Sequence, residues 1–216
     1  MAYIDQSRYN AYSFMHERKY EDRRNNLFML MSEAKKEDVL CGVGCSYAIF
    51  ALGAGDDFHD LDIVTNKESY PKLERIVRSL GAEFHAPPPK EQSDVFNSNA
   101  PFATVTLPKN TEIDIITDFG VRTFDSQYIY YIKEDDLEYF DVGETKIPIL
   151  PAEVLFILYH MMVGWQANRM FKVDRLREYL LAGNVRHKHI LENALELELP
   201  EWIEKDIEKI LLNRPN

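Results

Sequence analysis

Residues 42–65 read GVGCSYAIFALGAGDDFHDLDIVT. The apolar run DVLCGVG, from Asp38 to Gly44, ends in glycine and reads as a strand leading into a turn. CSYAIFALGAG then reads as a short buried helix closed by Gly53 and Gly55, glycine being the residue that ends helices without a Cβ penalty. Next comes the strand DLDIVT, residues 60–65, with two aspartates in a β-branched apolar string. Side chains alternate faces along a strand, so Asp60 and Asp62 share one face while Leu61 and Ile63 take the other. Like charges on one face repel, and burying them unpaired costs several kcal/mol.

Two readings of that pair stay open on DLD alone. Alternating acid and apolar residues are ordinary on a solvated sheet face or edge. A divalent cation is the other explanation, since Mg²⁺ prefers carboxylate oxygen and completes its shell with substrate phosphates. A second acidic strand, EIDIIT at 112–117, could supply a third ligand. Asp114, bracketed by Ile113 and Ile115, is the more inward acid of that strand and Glu112 the bystander. Three carboxylates make a two-metal site, with ions typically ~3.5–4 Å apart. What precedes the pair favours the metal: a small-residue turn opening a helix, with Ser46 near its N-terminus. Backbone N–H groups and the helix dipole there favour phosphate, and the serine hydroxyl adds a donor. A phosphate cradle directly before a carboxylate pair is the outline of a nucleoside triphosphate site.

On these residues the chain resembles the DNA polymerase β-like nucleotidyltransferases. Within them it looks most like the minimal bacterial type, the abortive-infection toxin-like and antibiotic nucleotidyltransferase-like enzymes. The family's pattern is a Gly-Gly or Gly-Ser turn with an alanine two residues later, a helix ending in glycine, Asp-x-Asp, and a lone Asp on a later strand. Ser46 takes the second turn position, Ala48 the alanine, Gly53 the helix-ending glycine, Asp60 and Asp62 the metal pair, and Asp114 the lone acid. The match runs over residues 38–118 and departs at three points. Cys45 stands where the family has glycine, unless the turn shifts by one to Gly44 and Cys45. Asp56 stands where toxin-type relatives carry arginine. The family's helical lysine has no clear counterpart, Tyr159 and His160 being nearest.

The resemblance implies transfer of a nucleoside monophosphate from a triphosphate to an acceptor, dependent on Mg²⁺ or Mn²⁺. Asp60 and Asp62 would hold both ions, and Asp114 would bind the catalytic ion and help deprotonate the acceptor. Gly44, Cys45 and Ser46 would hold phosphate. The acceptor could be a small molecule, a tRNA or a protein, and a toxin-type member would have an antitoxin partner. Two alternatives remain: a degenerate member that binds a nucleotide or a partner without catalysis, and a sugar-nucleotide transferase using Asp60 and Asp62 as its Asp-x-Asp site.

The rest of the chain bounds these expectations. Its 216 residues are 45% apolar and 12% aromatic, enough for a folded core. A net charge of -11 repels nucleic acid and anionic membrane unless basic residues cluster locally. Cys41 and Cys45 lack a second pair for a zinc site and read as reduced thiols. The N-terminus has no apolar signal region and no window reaches the ~18 apolar residues of a membrane span, so a cytoplasmic protein is expected.

The expected fold class is α/β (α+β), a mixed sheet with N-terminal helices and a helical C-terminal region. Helical spacing over 5–36 predicts one or two helices, and KESYPKLERIVRSLG a helix from Ser69 to Gly81. AEFHA, FATVTL and EIDIITDF read as strands, the last two as a hairpin across PKNT. PPPKEQSDVFNSNAP reads as a loop or lid. QYIYYI, LEYFDVG and TKIPIL add β segments with a turn at Gly143, and four helices follow Pro151. The expected division is a catalytic region over 1–150 and a helical region over 151–216 packed on it.

Basic residues gather at Arg169, Lys172, Arg175, Arg177, Arg186 and Lys188. They read either as a solvated helix face, with pairs such as Asp174 to Arg177, or as contacts to a triphosphate, with Arg169 and Lys172 the chosen binding residues. His59 points away from the acids if the strand already runs there. His85, His160, His187 and His189 show no metal-ligand spacing and read as packing residues. Tyr128 and Tyr130 share a face, either as a base-stacking platform or as cross-strand packing. No nucleophile-elbow pattern surrounds Ser46.

Overall fold

The computed structural model describes residues 17–56, 58, 60–85, 101–123, 125–142, 145–164 and 166–213. The N-terminal part of the expected helical segment, most of the expected lid, His59 and the turn at Gly143 lie outside them. Helix α1 (Glu17–Lys36) buries Leu27, Leu30, Met31 and Ala34, the spacing of one helical face. Strand β1 (Cys41–Val43), helix α2 (Cys45–Ala51), strand β2 (Leu61–Thr65) and helix α3 (Tyr70–Ser79) follow as the sequence predicts. Pro71 sits in the first turn of α3, and Gly81, at φ +84°, turns the chain out of it.

Strands β3 (Glu83–Phe84), β4 (Phe102–Leu107) and β5 (Thr111–Thr117) come next. The β4–β5 hairpin forms as expected, with Leu107 opposite Thr111. Lys109 and Asn110 close its turn, both at positive φ. EIDIITDF does not continue as one strand. Asp118 adopts φ +47° and turns the chain into β6 (Gly120–Arg122), which pairs with β7 (Gln127–Ile129) as a separate ribbon. Strands β8 (Glu138–Val142) and β9 (Thr145–Ile149) precede four helices: α4 (Ala152–Val163), α5 (Met170–Leu181), α6 (Lys188–Leu195) and α7 (Glu201–Leu212).

The main sheet has the order β3-β4-β5-β2-β1-β9-β8. The pairs β2–β5 and β1–β9 are parallel and the rest antiparallel, so the sheet is mixed as expected. Strand β2 lies at its centre and every residue of it is buried, which is why its apolar residues fill both faces. Helix α4 is apolar nearly all round, and its residues from Ala152 to Met162 are buried on every side. It contacts α2, the β6–β7 ribbon and all three later helices. Buried residues from Leu27 to Ile210 join one core. No described helix is long and apolar enough to cross a membrane.

Candidate active site

The register of two parallel strands assembles the site. Asp62 on β2 is the direct partner of Asp114 on β5, and Thr104 on β4 faces Asp114 from the other side. The Thr104 hydroxyl donates to Asp114 Oδ1 at 2.7 Å. Asp60, just ahead of β2 and exposed, accepts the Ser46 hydroxyl on Oδ1 at 2.7 Å. Ser46 stands in the first turn of α2, so this bond latches the short helix to the acidic strand. Glu112 is exposed near the start of β5, opposite Thr106.

The turn between β1 and α2 is tight. The Gly44 N–H donates to the Asp62 carbonyl oxygen at 2.7 Å, and a Cβ on Gly44 would stand 3.2 Å from Val64 Cγ2. Cys45 is buried and adopts φ +48°, a region that favours glycine. Its thiol stands beside the Asp62 carboxylate. The family's glycine position is thus filled by a residue that accepts backbone strain and reaches an acid of the site.

Charge crowds around Asp62. Burial above all, then the neighbouring charges of Asp60 and Asp114, push its pKa up to about 7, against the opposing pull of the Cys45 hydrogen bond and Lys172. Asp114 is raised mainly by burial, with the Thr104 hydrogen bond opposing and Asp60 and Glu112 adding to the rise. Burial, then Asp62 and Asp60, holds the Cys45 thiol protonated.

Lys172 faces this crowd. Its Nζ donates to the Tyr159 hydroxyl at 3.2 Å and lies 4.8 Å from the ring centroid, and burial lowers its pKa. The Tyr159 hydroxyl also neighbours Cys45. A chain of contacts therefore runs Lys172–Tyr159–Cys45–Asp62. The Arg169 guanidinium stands 5.5 Å from the Tyr159 ring centre, and its Nε donates to Gln166 at 2.6 Å. Tyr159, which the sequence offered only as one of two positions nearest the family's helical lysine, is the residue against which Lys172 and Arg169 gather. Its signal was only an aromatic in an apolar helix.

A cleft of about 240 Å³ opens beside Ser46, lined also by Gly55, Asp56, Phe171, Lys172 and Arg175. Arg175 is paired with Asp56. The rest of the basic cluster is not drawn to the acids. Arg177 donates to Asp174 at 2.6 Å and to Asp206 at 2.6 Å, Arg186 to Glu138 at 2.6 Å, and Lys188 is paired with Glu192. Tyr128 and Tyr130 are both buried, which favours packing over an open stacking platform.

Tertiary folding assembles one group that the spacing did not show. Atoms of Asp136, His187 and His189 lie within 4.8 Å of one another, the one such group among the described residues. The three aspartates of the site are spread wider than that. His187 and His189 are two residues apart, but their carboxylate partner lies some fifty residues earlier, beyond the reach of any spacing rule.

No protein-family model and no curated protein matches the chain. Solved structures do. A candidate nucleotidyltransferase from Thermotoga maritima aligns at TM-score 0.51 and 20% identity, over 77% of this chain and 95% of its own. The antibiotic-resistance factor ANT(2'')-Ia, solved in complex with adenylyl-2''-tobramycin, aligns at TM-score 0.53 and 12% identity, over 87% of this chain and 95% of its own. Its solution structure aligns at TM-score 0.52 and 12% identity, over 87% and 90%. Likeness at such identities is a likeness of fold, and it joins the mixed sheet and its flanking helices to a known architecture. The chain shares the fold of these solved structures, a candidate nucleotidyltransferase and ANT(2'')-Ia.

Proposed function

We propose that the protein transfers a nucleoside monophosphate from a nucleoside triphosphate to an acceptor hydroxyl, with Mg²⁺ held by Asp60, Asp62 and Asp114. One observation carries this reading: Asp62 and Asp114 are in register on adjacent parallel strands, directly behind the Gly44–Cys45–Ser46 turn. The donor set suits a hard dication, being carboxylate oxygens crowded enough to raise Asp62 to about 7. Mn²⁺ suits the same oxygens. When bound, the metal neutralises the triphosphate and the departing pyrophosphate.

The chain's own groups divide the remaining work. The Gly44 amide is committed to the Asp62 carbonyl, so the phosphate donors left in the turn are the first amides of α2 and the Ser46 hydroxyl. Ser46 turns its hydroxyl from Asp60 to phosphate as the nucleotide enters. Lys172 and Arg169, gathered on Tyr159, offer positive charge beside the cleft. The acceptor oxygen attacks the α-phosphorus, the bond to the bridging oxygen of the β-phosphate breaks, and pyrophosphate leaves. The acceptor's proton passes to Asp114 Oδ2, since Oδ1 is held by Thr104.

A second reading, nucleotide binding without transfer, is favoured by the protonated Cys45 thiol that stands beside Asp62. The test separates the two. The purified chain is given Mg²⁺, each of the four triphosphates, and acceptors beginning with tobramycin, chosen because ANT(2'')-Ia was solved with its adenylylated form. Mg²⁺-dependent pyrophosphate release that disappears in Asp62→Asn is expected. Metal-linked nucleotide uptake with no pyrophosphate on any acceptor, crude extract included, supports the second reading. Full transfer by Asp62→Asn, or no uptake of any triphosphate, overturns the site assignment.

A further inference from the structure

Away from the three aspartates, Asp136, His187 and His189 bring a carboxylate and two imidazoles together. Asp136 ends a 3₁₀ turn (Glu134–Asp136) between β7 and β8 and is buried. His187 immediately precedes α6, and His189 lies in its first turn. We propose that these three side chains form a site for a borderline transition-metal ion, Zn²⁺ foremost, which clips the turn before β8 to the start of α6.

The distances suit one ion. Asp136 Oδ1 and His189 Nε2 are 2.9 Å apart, and the ligand atoms of all three residues lie within 4.8 Å. Tetrahedral zinc with bonds of about 2.0–2.2 Å holds neighbouring ligand atoms roughly 3.3–3.5 Å apart, so the cluster needs only small rotations to close on a metal. The His187 and His189 ring centres are 6.0 Å apart with planes at 74°, an arrangement in which two imidazoles can aim nitrogens at one point without stacking.

The surroundings hold the ligands in place. The His187 backbone N–H donates to the fully buried Glu153 at 2.9 Å, as does that of Arg186 at 2.6 Å, which fixes the chain entering α6. The Tyr130 hydroxyl lies 3.5 Å from Asp136 Oδ2, the oxygen turned away from His189. Asp136 and His189 also line a cleft of about 390 Å³, which admits the ion and leaves room for water as a fourth ligand. A plain Asp136–His189 hydrogen bond accounts for two of these residues. It gives no reason for the ring nitrogen of His187 to join them.

Ligand chemistry separates this site from the aspartates. Two imidazoles and one carboxylate suit Zn²⁺, Cu²⁺ or Ni²⁺, whereas Mg²⁺ prefers all-oxygen surroundings. The ion would bridge a sheet turn and a helix some fifty residues apart, adding a cross-link between the sheet and the C-terminal helices.

The experiment uses the full chain, stripped with EDTA and carrying Asp60→Asn, Asp62→Asn and Asp114→Asn to remove the other carboxylates. Calorimetric titration with ZnCl₂ in excess Mg²⁺ should give one site per chain, and saturating Zn²⁺ should raise the melting temperature. His187→Ala and His189→Ala, on half-buried and exposed positions that tolerate substitution, should each weaken binding at least ~100-fold, since even partners of metal ligands cost 10- to 100-fold. Both should also abolish the zinc-dependent rise in melting temperature. Absence of Zn²⁺ binding in the three-aspartate variant overturns the proposal, as does binding unchanged by the two histidine substitutions in a chain whose circular dichroism is native.

Discussion

Asp62 concentrates the electrostatics of the site. Its pKa of about 7 lies above the ordinary carboxylate value, so in the metal-free protein it favours the folded state while protonated. That contribution is fully present below about pH 4 and is lost as pH rises through about 7. Asp62→Asn keeps the shape and removes the charge. In metal-free buffer the stability of this variant relative to the parent should therefore grow between pH 4 and 8, by roughly 2–4 kcal/mol, read from urea unfolding at each pH. Pyrophosphate release should fall at least ~10²-fold in the same variant. Ser46→Ala should cost less, roughly tenfold, mostly in KM for the triphosphate, because backbone amides of the turn remain. Because Ser46 leaves Asp60 for phosphate in the nucleotide-bound state, the loss in Ser46→Ala with Asp60→Asn should be close to the sum of the two single losses. A double variant no worse than Asp60→Asn alone would show that Ser46 acts through its bond to Asp60 and not on phosphate.

At the scale of elements, α4 carries polar groups that an apolar helix must satisfy. His160 is buried against Phe156, with Nε2 3.7 Å from Asp206 on α7, and burial drives its pKa down to about 4. A histidine lowered in the folded state contributes stability above about pH 6.5, which is lost as pH falls toward 4. His160→Gln should flatten that acid limb by on the order of 2 kcal/mol, allowing for screening around Asp206 and Arg177. Glu153, one turn before the middle of the same helix, accepts two backbone N–H groups ahead of α6. Glu153→Ala removes the acceptor of two part-buried donors, and a loss of about 1–3 kcal/mol in unfolding free energy is expected. The periodicity of these elements was legible because side-chain alternation and helical spacing are local. The break at Asp118 was not, since a single residue at positive φ leaves no pattern in an otherwise continuous β-branched run.

At the scale of the molecule, one core spans from Leu27 on α1 to Ile210 on α7, with α4 at its centre. A chain cut after Leu150 would expose β-sheet and ribbon surfaces that α4 covers, and it should fail to give a cooperative melt. Phe156→Ala should cost about 3–5 kcal/mol in the full chain while leaving a single transition by calorimetry. The amino-acid order by itself determined the mixed strand–helix succession, the short helix behind a tight turn, and the presence of acids inside two strand-like segments. These follow from spacing within a few residues of one another. Tertiary structure decided that Asp62 and Asp114 stand in register, that Tyr159 gathers Lys172 and Arg169 toward Cys45, and that most of the basic cluster is engaged elsewhere. It also brought Asp136 to His187 and His189. Each of those outcomes depends on which strand lies beside which and which helix crosses it, and burial of the shared core sets that arrangement at separations where neighbouring residues carry no information.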